Sequence, residues 1–259
     1  DPQSIRDFLA DDTADKRARK IDELLETNAY VDWWAMKLTD LTGSSNAQLG
    51  STDMMMPSAR QWESWIRSRV ESNTPWDEIA AGILLAESRD PGQDYTNYTW
   101  EQSSYHAREN KNDFNAPDNP MHYYWARGDI AQPEEKALSF GYIFLGVRLQ
   151  CAQCHKHPFD QWSKQDFDQF TNFFRRVRWG TPPESQHSRK DLMNRLGVPV
   201  KLDTAALRRQ MYMRVAVEGL PIPWYEMYIL PPGKNPMPSK ILGGEEFDLN
   251  QFSDPREPL

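Results

Sequence analysis

Both cysteines of the chain lie three residues apart, and a histidine follows the second at once: Cys151-Ala152-Gln153-Cys154-His155. C-x-x-C-H is the attachment signature of c-type haem. Two thiols must reach two vinyl groups on one porphyrin edge, and the next residue must turn its imidazole onto the iron. A neutral imidazole is a common haem-iron ligand. Cys151 and Cys154 are therefore read as the thioether donors of one covalent haem c, with His155 as the proximal iron ligand. Other chemistries fit the pattern less well. A redox-active C-x-x-C belongs near a βαβ pattern, and none surrounds Cys151. Structural zinc takes four ligands. Cys151, Cys154, His155 and His157 crowd too closely to wrap one tetrahedral ion, and there is no second cysteine pair. Two buried core thiols would leave His155 unexplained.

A sixth iron ligand must come from elsewhere, by chemistry a His or a Met. His157 sits two residues from His155, with the porphyrin plane between the two axial positions. His122 is the first candidate, with Met121 beside it. His106, His187 and the run Met54-Met55-Met56 follow. An open or water-bound sixth position is an equal alternative. Arg148 and Lys156 are either partners for a haem propionate or solvated surface charges.

The same stretch carries a resemblance. Leu145-Gly146-Val147-Arg148-Leu149-Gln150 before the motif, His157-Pro158-Phe159-Asp160 after it, and then Trp162 resemble the planctomycete cytochrome C-like domain family. The similarity runs both ways along the chain. It includes Phe8 to Asp12, Lys16 to Arg19 with Leu24-Leu25, Trp33-Trp34-Ala35, the aromatic segment Phe167 to Val177, Leu242 to Glu245, and Asp254 to Glu257. It is weakest over 42–57, 88–120 and 181–240. The resemblance implies a haem domain of a large extracytoplasmic bacterial protein, usually followed by a second domain. It implies no reaction.

Helical periodicity must position the motif. It predicts helices over 3–10, 16–27, 30–41, 57–71 and from about 75. Trp33 and Trp34 are read as core packing. Over 87–129 no element is legible. Eight aromatics interleaved with Gly, Pro, Asn and Asp point to a long loop pinned against helices or haem. Pro133 opens a helix predicted to run to about Gln150 and to deliver the cysteines. The residue before a proline avoids helical geometry, so the chain leaves the helix before Pro158. Ser163 with Asp166 forms a capping-box pattern before the stripe Phe167, Phe170, Phe173, Phe174, Val177. A short helix over 203–210 and a small β element within 215–230 complete the reading.

The fold class is thus mainly α: an irregular helical domain with long, aromatic-rich ordered loops around a covalent haem, and little β. Residues 1–230 are assigned to it, and 231–259 to an extended linker toward a following domain. The opening at Asp1 reads as that of a mature product or excised domain.

Composition narrows the function. The net charge is −8 and no polybasic run occurs, which disfavours nucleic acid. No stretch approaches 18 apolar residues, so no transmembrane segment is predicted. Haem c attachment places the chain in an extracytoplasmic (periplasmic or secreted) compartment. Three functions remain in play. The first is a monohaem cytochrome transferring electrons to a redox partner protein or a neighbouring cytochrome domain. The second is a haem enzyme with an open sixth position, where His157, Tyr123 or Tyr124 would assist proton transfer. The third is a structural or binding module.

Overall fold

Helix starts are written into the sequence as caps. The Asp1 carboxylate accepts the Gln3 amide at 3.1 Å, opening α1 (Pro2–Ala10). After α2 (Lys16–Leu25), Thr27 accepts the Tyr30 amide and opens α3 (Asn28–Thr42), which Gly43 closes in the left-handed region. Capping side chains satisfy amides that have no partner within the helix. The computed structural model describes residues 1–49, 58–109, 112–198, 205–233 and 238–259. The Met54–Met56 run lies outside them.

The molecule is mainly helical. α3 packs along α4 (Ser58–Glu71), whose Trp62, Trp65 and Ile66 are buried. α5 (Trp76–Leu84) and α7 (Pro133–Phe144) add Ile79, Ile83, Ala137 and Phe140 to the same core. α8 (Lys164–Thr171) opens on the expected reciprocal Ser163–Asp166 capping box. Its Phe167 and Phe170, with Phe173 and Phe174 just beyond, form an aromatic wall against Phe140.

The segment 87–129 holds a helix, α6 (Tyr95–Ser104), and a 3-10 turn, His122–Ala126. Arg69 pins the stretch between them. Its guanidinium stacks 3.7 Å over the Trp65 ring and donates to the carbonyls of Asn115, Ala116, Pro117 and Asn119 at 2.8–3.1 Å. Four charge-assisted bonds to backbone explain how a Pro/Asn-rich loop stays ordered. Burial pulls the Arg69 pKa down to about 10, which leaves it charged at neutral pH.

A second cluster gathers Tyr95, Tyr98, Tyr212, Val215, Ile222 and Trp224, drawing on α6 and on α10 (Ala205–Met213). α9 (Gln186–Arg195) forms in a stretch where the sequence reading places no element. The anticipated β element is β2 (Glu226–Ile229). It pairs antiparallel with β1 (Val177–Gly180), in the register Val177 opposite Ile229 and Gly180 opposite Glu226.

Three expectations are corrected. Trp33 and Trp34 are not core: they are 54% and 38% exposed. α3 turns Val31 and Ala35 inward instead, and Trp34 packs on Trp76 at 5.7 Å. α7 stops at Phe144, six residues short of Gln150. Residues 238–259 are no extended linker. They form a hairpin of β3 (Ser239–Lys240) and β4 (Glu246–Phe247), then fold onto the core through Leu249, Phe252 and Leu259.

Candidate functional site

Pro133 in the first turn and a Gln132–Glu135 capping box start α7. Its exit decides where the cysteines go. Gly146 takes φ +65°, a left-handed conformation suited to glycine. The Val147 amide then donates to the Gly141 carbonyl at 2.8 Å, so the chain doubles back along the helix. Leu149 packs so tightly that a Cβ on Gly141 would lie 3.0 Å from its Cδ1. Leu149 and Ala152 are fully buried anchors. Between and beyond them, a 3-10 turn over Gln150–Gln153 leaves Cys151 and Cys154 exposed. The amides of Cys154 and His155 both donate to the Cys151 carbonyl, each at 3.4 Å. The turn packs on α8. Its base is aromatic core and its outer face presents two free thiols and an imidazole.

The His155 ring is oriented by a backbone bond. Its Nδ1 lies 2.6 Å from the Lys156 carbonyl oxygen. A carbonyl oxygen only accepts, so Nδ1 carries the proton. In the neutral ring, Nε2 then keeps its lone pair. Metal-binding histidines commonly donate the other ring N–H in this way, which fixes the tautomer and raises ligand basicity. The following loop is also ordered. The His157 amide donates to the Trp162 carbonyl at 2.8 Å, the Phe159 amide to His157 Nδ1 at 3.2 Å, and the Gln161 amide to Asp160 Oδ1 at 2.7 Å.

Two unbridged thiols on one exposed turn, followed by a histidine with Nε2 available, fit the donor set of covalent haem c. Among the described residues, no three His, Cys, Asp or Glu side chains converge as a metal-ligand group.

The structure brings Cys151, Cys154 and His155 together and places the other candidates elsewhere. His122 is 3% exposed. It stacks on Trp179 at 6.1 Å and meets Phe114 and Tyr123 edge-on. Its turn packs on α5, β1 and β2, whereas the cysteine turn packs on α8. Met121 is buried beside it. His106 is buried in the second cluster's border. It stacks 4.9 Å from Trp224, and its Nδ1 pairs with the Tyr212 hydroxyl at 2.9 Å. Burial holds His122 down to about 4 and, with His122 nearby, His106 to about 3. His187 is exposed on α9, 3.2 Å from Asp191.

The Tyr123 hydroxyl donates to Gln61 Oε1 at 2.9 Å, and the Tyr124 hydroxyl pairs with Ser139 at 3.0 Å. Burial pushes Tyr123 up, and Tyr124 up to about 12. Arg148 lies 5.7 Å over the Tyr142 ring at the surface, and Lys156 is exposed. The residues that sequence reasoning missed are Gly141, Leu149 and the Lys156 carbonyl. Gly141 and Leu149 act through packing, and the Lys156 carbonyl through backbone, so only the motif's embedding hinted at them.

A family model, PSCyt2, described as a protein of unknown function (DUF1549), matches residues 1–179. The chain belongs to this family. The matched residues run from α1 almost to the end of β1 and contain the whole cysteine turn. β2, α9, α10 and the closing hairpin lie beyond them. No curated protein and no solved structure matches the chain. The family name speaks of a cytochrome-like domain. In the described residues, no helix is long and apolar enough to cross a membrane.

Proposed function

We propose that the domain carries one haem c on Cys151 and Cys154 and serves extracytoplasmic electron transfer. The observation that carries this reading is the exposed turn. It exposes both thiols together with an imidazole whose Nδ1 proton is already committed to the Lys156 carbonyl. Haem c supplies an iron that cycles between two oxidation states at a potential the protein sets.

The chain's own residues would do the rest. Cys151 and Cys154 hold one porphyrin edge. His155 offers Nε2 as the proximal ligand, and its bond to Lys156 keeps the ring from rotating away. Leu149 and Ala152 root the turn in the core. Arg148 and Lys156, both exposed and flanking the motif, would be the cations available to a propionate carboxylate. An exposed turn lets a redox partner, or a neighbouring cytochrome domain, approach the cofactor edge.

The test is the exported, matured protein. One haem per chain in the pyridine haemochrome assay, peroxidase staining that survives a denaturing gel, and haem that resists acid–acetone extraction are the expected results. Complete extraction would overturn the thioether assignment. A low-spin reduced spectrum supports electron transfer. A high-spin spectrum that shifts with carbon monoxide or peroxide would move the reading to a haem enzyme.

A further inference from the structure

Phe159 is 94% exposed, the most exposed large apolar side chain of the described residues. Its exposure does not come from a slack loop. Hydrogen bonds from the amides of His157, Phe159 and Gln161 fix the backbone on both sides, and Pro158 restricts the residue before it. The chain therefore holds a phenylalanine in water by construction, at the cost of its burial. It lies five positions from Cys154, at most about 17 Å of extended chain. The turned path shortens that, so the ring lies within reach of a macrocycle tied to Cys154. Tyr142 and Leu145, at the end of α7 just before the chain doubles back, are further exposed large apolar residues of this part of the chain.

We propose that Phe159 packs its ring on the haem and is the principal apolar cover of the cofactor. This rests on the haem reading above. A porphyrin on an exposed turn brings a broad apolar surface that the aromatic wall of α8, buried beneath the turn, does not reach. A rigid loop presenting one phenylalanine meets that need, because covering the macrocycle buries both surfaces at once. Cover of this kind excludes water from the iron's surroundings and so raises the potential.

Two measurements test it. Chymotrypsin should cut after Phe159 at least tenfold more slowly in the haem-loaded protein than in the Cys151→Ala/Cys154→Ala variant. Equal rates would overturn the proposal. Since that variant could lose its fold, a second comparison uses haem-loaded protein alone. Phe159→Ala should keep its covalent haem, lower the midpoint potential and change the Soret circular dichroism, while Phe159→Leu recovers most of both. An unchanged potential and Soret band in Phe159→Ala would overturn the cover role and leave the haem reading standing. If that variant instead only slowed reduction by a partner, Phe159 would be a docking residue and not a cover. A native protein with no covalent haem would remove the haem reading, and this one with it.

Discussion

Arg256 and Leu84 are 172 positions apart and joined by a 2.7 Å hydrogen bond from the guanidinium to the carbonyl. The same side chain donates to the Ala86 carbonyl at 3.2 Å, forks onto the Asp254 carboxylate and lies 5.2 Å over the Trp125 ring. At 1% exposure it is a buried cation whose three guanidinium nitrogens all meet acceptors. It ties the last described segment to α5 and to the core.

Removing one partner of a buried pair leaves the other charge uncompensated, typically at about 3–5 kcal/mol. Arg256→Met should therefore lower the urea midpoint strongly. Arg256→Met combined with Asp254→Leu should recover part of the loss. A single variant as stable as the wild type would show that the closing segment contributes little to the fold.

The buried histidines predict a pH dependence. Burial, together with His122 nearby, lowers His106 to about 3, and burial alone lowers His122 to about 4, from an ordinary 6.5. His106 is faced by Tyr212, Tyr123 and Trp224, and His122 by Phe114, Tyr123 and Trp179. Below pH 6.5 the unfolded chain takes up these protons while the folded chain does not. The stabilisation is thus complete above pH 6.5 and lost progressively toward pH 3–4, by up to about 1.4 kcal/mol per pH unit for each histidine. His122→Phe should flatten the fall in unfolding free energy between pH 6.5 and 4.5. Identical slopes would remove His122 from the account.

Much of this architecture could be read from local signals, and the failures have physical causes. Ser163–Asp166 marked α8 because a capping box is local chemistry. α6 stayed hidden because it buries Tyr98 alongside the polar Thr99, Gln102 and Ser103, so no apolar stripe shows. Its Asp94 cap, which accepts two amides, was the available sign. α7 was drawn too long because Phe144, Val147 and Leu149 continue an apolar pattern across the Gly146 break. All three still face the core, but Val147 and Leu149 do so from a returning chain. At the site, the motif names the proposed donors, while the His155 tautomer depends on a turn that no spacing rule specifies.

That returning chain makes Gly141 a sensitive position. A Cβ there would sit 3.0 Å from Leu149 Cδ1 and 3.4 Å from the Val147 carbonyl, which accepts no displacement without shifting the turn. Overpacking of this kind typically costs about 1–3 kcal/mol. Gly141→Val should be destabilised in that range and should load less haem per folded chain, because Leu149 is the anchor next to Cys151. Gly146→Ala, with nothing within 4 Å of its Cβ but φ at +65°, should be destabilised through backbone strain alone. Full haem loading in Gly141→Val would show that the cysteine turn does not need Leu149 seated.

The sixth position of the proposed haem iron is the last point on which packing and chemistry meet. His122 has the right donor atoms, yet it sits 3% exposed between Trp179, Phe114 and Tyr123, on elements other than those carrying the cysteine turn. To reach an iron held by His155 it would have to leave that ring stack, exposing aromatic surface worth about 1.5–3 kcal/mol per side chain. His122→Phe keeps the stack and removes both nitrogens, so it separates packing from ligation. In the haem-loaded protein the reduced spectrum and midpoint potential should match the wild type. Conversion from low-spin to high-spin haem would instead establish His122 as the ligand, and would require the core around Trp179 to open when haem is attached.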